Sequence, residues 1–192
     1  SIADEMALTI VRTTYSGVLR DNMDFSTAFC DPKGNLVAQG LTLPGHLGSI
    51  PTALAAVVER FGHAMKPDDL FCLNDPYQGG MHLPDIFIFK PIFHNGKRIA
   101  FAATICHHTD VGGRVAGSNA SDSTEIYQEG LRIPPMYMFE QGKKIAPIAI
   151  PHLQEHFGKF EVFATEEKLY EEMEGLGGYL FKGFIDLVIK TE

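Results

Sequence analysis

The chain has 192 residues, 45 % apolar and 21 % charged, with a net charge of −8 at pH 7, the balance of an ordinary folded domain. The acidity excludes a nucleic-acid or anionic-membrane surface, because no cationic stripe is there to displace counterions from phosphates, and no apolar run reaches the roughly 18 residues of a membrane span. Cys30, Cys72 and Cys106 are far apart with no CxxC pair, which reads as reduced, buried thiols in a cytoplasmic protein without a secretory signal.

Residues 2–11 set Ile2, Met6 and Ile10 at helical spacing beside Ala3, Ala7 and Val11 and predict an amphipathic helix. Since Ser1 is not Met and falls in this helical pattern, the chain is expected to be part of something longer. "DFSTAFCDPKGNLVAQG" predicts a hairpin, with strands at Phe25–Cys30 and Asn35–Gln39 and a type I turn through "DPKG". "GSIPTALAAVVERFG" predicts a helix capped by Ser49, with Pro51 in its first turn, an apolar face of Ile50, Leu54, Val57, Val58 and Phe61, and Gly62 at its end.

"DDLFCLND" reads as a short buried strand, and Asn74 and Asp75 before Pro76 as an Asx-type turn. "DIFIFKPIFHNGKRIAFAATICHH" predicts a second hairpin turning at Asn-Gly. Residues 117–135 read as loop with one short helical turn. Beyond Gly142 the pattern predicts a strand at Ile145–Ile150, a helix around Glu166–Met173 and an apolar segment Tyr179–Ile189. The fold class expected is α+β, an antiparallel hairpin-rich sheet packed with a few helices, as part of a larger subunit.

Chemistry concentrates at the open end of the second hairpin. With a three-residue loop His94-Asn95-Gly96, Asp85 falls opposite Ile105 and shares one face with His107 as a diagonal neighbour; a two-residue loop would send the two to opposite faces. His82 lies just before the strand. Two imidazoles and a carboxylate suit a divalent cation such as Zn²⁺, Mn²⁺ or Fe²⁺. The same residues also fit a bland account, a surface-turn histidine and a hydrogen-bonded histidine at a strand end. His107 and His108 are adjacent on a strand and are not expected to serve one ion. Asp24 offers either another carboxylate or a turn acceptor. Glu125 and Glu129, at i and i+4 with Ser123 as a cap, offer either a solvated face or a general base. The glycine pairs at 79–80 and 112–113 lack the spacing and lysine of a phosphate loop.

"MDFSTAFCDPKGNLVAQG", "PGHLGSIP", "NDPYQGGMHLPDI", "HHTDVGG" and "DSTEIYQEGLRIPP", in this order, closely resemble the hydantoinase B family. That family includes B subunits of ATP-dependent hydantoinases, the C-terminal half of 5-oxoprolinases and α-type subunits of acetone carboxylase. The resemblance covers about residues 1–140; residues 141–192 form a divergent tail, and the family's chains run longer.

The resemblance implies a metal site in which His82, Asp85 and His107 are ligands and Asp24 lies close to the same ion. It also implies a hetero-oligomer, in which an A-type ATPase subunit uses ATP to phosphorylate the substrate and the B-type subunit completes the reaction. Three functions follow as expectations: a subunit of an ATP-dependent cyclic amide hydrolase; the α-type subunit of a ketone carboxylase; or a truncated, non-catalytic interaction domain. In the first, Asp24 is a fourth ligand or base, and Glu125 and Glu129 support the reacting groups.

Overall fold

The computed structural model describes residues 1–40, 42–140, 143–144, 160–164 and 188–191. Residues 1–143 form one compact unit and residues 144–192 a second. The first contains α1 (Ile2–Thr13), a one-turn α2 (Gly17–Arg20), β1 (Phe25–Cys30), β2 (Leu36–Gln39), α3 (Pro44–Phe61), β3 (Leu70–Leu73), β4 (Asp85–His94), β5 (Lys97–His107) and β6 (Met136–Glu140), with β7 (Lys143–Lys144) at its end. The sheet order is β2-β1-β5-β4-β3-β6-β7, and the paired strands from β2 through β6 are antiparallel. The second unit contains β8 (Phe160–Ala164) paired antiparallel with β9 (Val188–Thr191). The expected strand at 145–150 and helix at 166–173 lie outside the described residues, as does the expected 179–189 segment apart from Val188 and Ile189 in β9. Among the described residues, no helix is long and apolar enough to cross a membrane.

The α+β expectation agrees with this architecture, and strand alternation builds its core. On one face lie Ala28 and Cys30 of β1, Phe101, Ala103 and Ile105 of β5, Phe87 and Phe89 of β4, and Phe71 and Leu73 of β3. Ile50, Ala53, Leu54 and Val57 of α3 cover that face, all fully buried. Burying a side chain of this size contributes about 1.5–3 kcal/mol, so the five wholly buried phenylalanines at 25, 71, 87, 89 and 101 are the largest apolar contributors. Thr27 points to the other face, where its hydroxyl donates to the Ala3 carbonyl of α1 at 2.8 Å.

Three sequence expectations are corrected. Helix α1 packs through its small residues: Ala3 and Ala7 are buried while Ile2 is exposed, because the close approach that lets Thr27 reach the Ala3 carbonyl leaves no room for larger side chains. Ser1 caps the helix through a capping box with Asp4. Helix α3 begins at Pro44 rather than at Ser49; Pro51 lies inside it, and the Ser49 hydroxyl donates to His46 O at 2.7 Å. Pro44 suits the first helical position, whose N–H is unsatisfied in any case.

The third correction concerns the β4–β5 turn. The loop is two residues, Asn95 and Gly96, both with positive φ (49° and 74°), the pattern of a type I′ turn. A two-residue loop alone would separate Asp85 from His107. A bulge restores the parity: Phe93 pairs with Arg98 but Ile92 pairs with Ala100, so Ile99 is the additional residue. Asp85 then lies directly opposite His107, with both side chains on the α3-covered face.

Candidate metal centre

The residues at the end of that face are polar where the rest are apolar. Continuing the alternation, Asp24 precedes Ser26 and Ala28 on β1, Asp85 precedes Phe87 on β4, and His107 follows Ile105 on β5. The His107 N–H donates to Asp24 O at 3.1 Å, so β1, β5 and β4 deliver three polar side chains side by side. His46, in the first turn of α3, continues the buried helix stripe His46–Ile50–Ala53–Val57 to the same end.

The loop between β3 and β4 brings His82. Asp75 caps a 3-10 turn at Pro76–Gln78 by accepting from Tyr77 N. Gly79 then passes against α3 so closely that a Cβ would lie 2.6 Å from Ala53 N, at φ +90°; glycine is required there. Asn74, expected to share the turn with Asp75, instead joins two loops. Its amide nitrogen donates to the Leu83 and Leu131 carbonyls at 2.7 and 2.8 Å, and its oxygen accepts from Ile133 N. Fully buried Leu83 anchors the loop, and Asp85 N donates to His82 O at 3.0 Å, closing the turn that holds His82 beside Asp85.

The five side chains meet in an open pocket of about 420 Å³ lined by Asp24, His46, Met81, His82, Asp85 and His107. His82 Nε2 is 3.1 Å from Asp85 Oδ2 and 3.2 Å from His107 Nδ1, and His107 Nδ1 is 3.1 Å from Asp85 Oδ1. Asp24 reaches the group from the other side, with Oδ1 3.6 Å from His46 Nε2 and Oδ2 3.7 Å from His107 Nδ1. His46 Nε2 is also 3.5 Å from Asp85 Oδ2. Asp85 therefore belongs to two potential ligand triads, with His82 and His107 and with Asp24 and His46.

Asp85 is 2 % exposed. Burial by itself would raise its pKa, but the imidazoles of His46 and His82 beside it outweigh that and hold the carboxyl well below its usual range. The same pairing raises the pKa of His82, against the opposing effect of its partial burial, with further help from the charges of Asp85, Asp24 and Glu129.

The donor set fits a divalent cation. Imidazole nitrogens and carboxylate oxygens are the ligands such ions take, and bonds of about 2.0–2.2 Å set neighbouring ligand atoms about 3–3.6 Å apart. Three of these contacts join His82, Asp85 and His107 at 3.1–3.2 Å. Two nitrogens and one buried carboxylate at that spacing can hold one ion, and the same distances also suit hydrogen bonds among them.

The remaining expectations divide. His108 turns away from the cluster, with Nδ1 3.0 Å from Cys106 O, as alternation along β5 requires. Glu125 and Glu129 are not spaced on a helix, because only Ile126–Gln128 forms a turn, of 3-10 type. Glu125 is exposed on the loop, and Ser123 does not cap it. Glu129 is half-buried and acts on His82 through its charge. Neither glutamate lines the pocket. Sequence reasoning missed His46; Pro44 as a helix start would have revealed it, since a helix from that residue sets His46 in the buried stripe.

The family model described as hydantoinase B/oxoprolinase matches residues 1–153. An uncharacterized protein of Methanocaldococcus jannaschii is 41 % identical over 145 residues, covering 74 % of this chain and 26 % of the relative. The caprolactamase subunit beta of Pseudomonas jessenii is 37 % identical over 140 residues, 73 % of this chain and 24 % of that subunit. The 5-oxoprolinase of Saccharomyces cerevisiae is 38 % identical over 142 residues, 73 % of this chain and 11 % of the enzyme. The chain thus spans about a quarter or less of the length of these relatives.

Among solved structures, the ATP-dependent caprolactamase of Pseudomonas jessenii aligns with a TM-score of 0.62 at 30 % identity, over 80 % of this chain and 29 % of that one. Nucleotide-free acetone carboxylase aligns with a TM-score of 0.71 at 19 % identity, over 80 % of this chain and 20 % of that one, a likeness of fold. On the match over residues 1–153, this chain belongs to the hydantoinase B/oxoprolinase family.

Proposed function

We propose that this chain carries the metal-binding part of an ATP-dependent cyclic amide hydrolase, in the role of a B-type subunit. The observation that carries the reading is the convergence of His82, Asp85 and His107 to mutual distances of 3.1–3.2 Å. It stands in a chain 36–38 % identical to 5-oxoprolinases and a caprolactamase subunit. His82, Asp85 and His107 hold a divalent cation (Zn²⁺, Mn²⁺ or Fe²⁺), and Asp24 adds the second negative charge. When bound, such a cation polarises a carbonyl or phosphoryl oxygen and makes water more acidic.

The chain's own residues set the rest. Leu83 and the Asn74 clamp fix the loop that carries His82. Asp24, whose side chain is 30 % exposed, faces the pocket mouth, where Oδ2 can accept a proton from the attacking water. The energetic difficulty lies in the amide, which resonance makes a poor electrophile. A partner subunit of the A type uses ATP to phosphorylate it, and the hetero-oligomer works in the cytoplasm, where ATP is available and Cys30, Cys72 and Cys106 stay reduced.

The chain together with its ATPase partner, supplied with ATP, is expected to open hydantoin, 5-oxoproline or caprolactam and to release phosphate. Carboxylated product from acetone and bicarbonate, without amide cleavage, would refute this in favour of a ketone carboxylase. Elemental analysis decides the metal separately: His82→Ala is expected to purify without the cation that the wild-type chain holds.

A further inference from the structure

His46 is 6 % exposed and Ser26 is fully buried beneath it. The Ser26 hydroxyl lies 3.0 Å from the Leu43 carbonyl oxygen and 3.2 Å from His46 Nδ1. A hydroxyl has one hydrogen, and a carbonyl only accepts, so that hydrogen goes to Leu43. The contact with His46 is then made by Nδ1–H donating to Ser26 Oγ. Nδ1 therefore carries a hydrogen, and in the neutral ring the Nε2 lone pair faces Asp85 Oδ2 at 3.5 Å and Asp24 Oδ1 at 3.6 Å.

A buried lone pair set against two carboxylate oxygens is repulsive until a positive centre sits among them. A proton on Nε2 would serve poorly, because 3.5–3.6 Å is beyond the about 2.7–3.2 Å of an N–H···O hydrogen bond. The same distances match neighbouring ligand atoms around a cation with bonds of about 2.0–2.2 Å. Asp85 supplies both halves of the cluster: Oδ1 faces His107, and Oδ2 faces His82 and His46. Two carboxylates and three neutral imidazoles carry two negative charges, which one dication balances.

We propose that His46 binds the cation of this centre through Nε2, as a ligand beside His82, Asp85, His107 and Asp24, and that Ser26 is the positioning residue that presents that nitrogen. A histidine ligand whose other ring nitrogen is tied to a fixed acceptor is held in both tautomer and orientation; loss of such a partner costs about 10–100-fold in metal affinity. The proposal rests on the cation reading above and goes beyond it in naming a fifth side chain and the hydroxyl that orients it.

The test is titration of the chelator-stripped chain with Co²⁺, following affinity, stoichiometry, the visible ligand-field spectrum and the rise in Tm on metal addition. The wild-type chain is expected to take one Co²⁺. His46→Ala should bind at least about tenfold more weakly with a changed spectrum, and Ser26→Ala should weaken binding about tenfold in the same direction. A purely structural role for His46 would lower the metal-free Tm and leave the spectrum unchanged.

Wild-type affinity and spectrum in His46→Ala, with binding lost in His82→Ala, would overturn this proposal and leave the cation reading standing; so would two Co²⁺ per chain. No Co²⁺ binding by the wild-type chain would overturn both. Should His46→Ala fail to fold, Ser26→Ala decides, because wild-type binding in that variant removes the positioning role and with it the tautomer argument.

Discussion

At its turn, the β4–β5 hairpin carries His94; at its open end it carries His107. His94 is exposed, with Asn95 Nδ2 3.2 Å from its ring as its neighbour. His107 sits between two carboxylates and a second imidazole. The flanking elements account for the difference. Strand β1 pairs with β5 from Phe101 to Cys106, and β3 pairs with β4 from Phe87 to Phe89, so the hairpin tip projects beyond both neighbours. At the open end, Asp24 arrives beside β5, His46 arrives on the first turn of α3, and His82 arrives on the loop before β4. A histidine at a strand end becomes a site when adjacent elements bring acidic oxygens to it.

That contrast can be broken at the open end with the largest effect. Asp85→Ala removes the one carboxylate common to both ligand triads and strands His82 and His46 without their buried partner. It should abolish cation binding, read by elemental analysis, and cost about 3–5 kcal/mol in urea unfolding. Phe87→Ala, two residues along the same face, should cost a similar 3–5 kcal/mol. Its folded fraction should still bind the cation in calorimetry, which separates core from site.

Acidification sharpens the same comparison. Protons compete with the cation for imidazole nitrogen, and the carboxylates beside His82 raise its pKa, so release should begin at higher pH than for free imidazole. Each ligand that must lose a proton costs about 1.4 kcal/mol per pH unit below its pKa. In the metal-free chain the sign reverses. Stability from the protonated His82 is complete below about pH 6.5 and is lost as pH rises through the raised folded value. Cation titrations and unfolding curves between pH 5 and 8 should therefore slope in opposite directions.

At the hairpin tip the effects shrink. Gly96→Ala places a Cβ in open space but at φ +74°, which should cost about 1 kcal/mol of stability with unchanged cation affinity. His94→Ala should change stability by less than about 0.5 kcal/mol and leave cation binding alone.

Much of this contrast was legible in the residues. Both hairpins and the 3-10 turn near Tyr127 follow from turn chemistry and period-2 alternation. Two features were not, each for a local reason. The parity of the Asp85–His107 pair depends on loop length and on the bulge at Ile99; each shifts the register by one residue in the same direction, and the expected three-residue loop matched the observed face only because the two shifts add to two. His46 was hidden because Ser49 and Pro51 imitate a helix start, while the true start at Pro44 has no side-chain cap to announce it. Helix α1 misled in another way: alanines at 3 and 7 permit close packing on β1 that larger apolar residues would forbid.

Asn74 has a consequence for the stiffness of the loop that precedes β4. Its one amide group staples the segment holding Leu83 to the segment holding Leu131 and Ile133. Parting that seam would leave three main-chain groups and the amide itself without partners, at about 1–3 kcal/mol for each that stays shielded from water. The loop that carries His82 is therefore held in place from outside the pocket, while Met81 and Asp24 of the pocket lining already meet solvent.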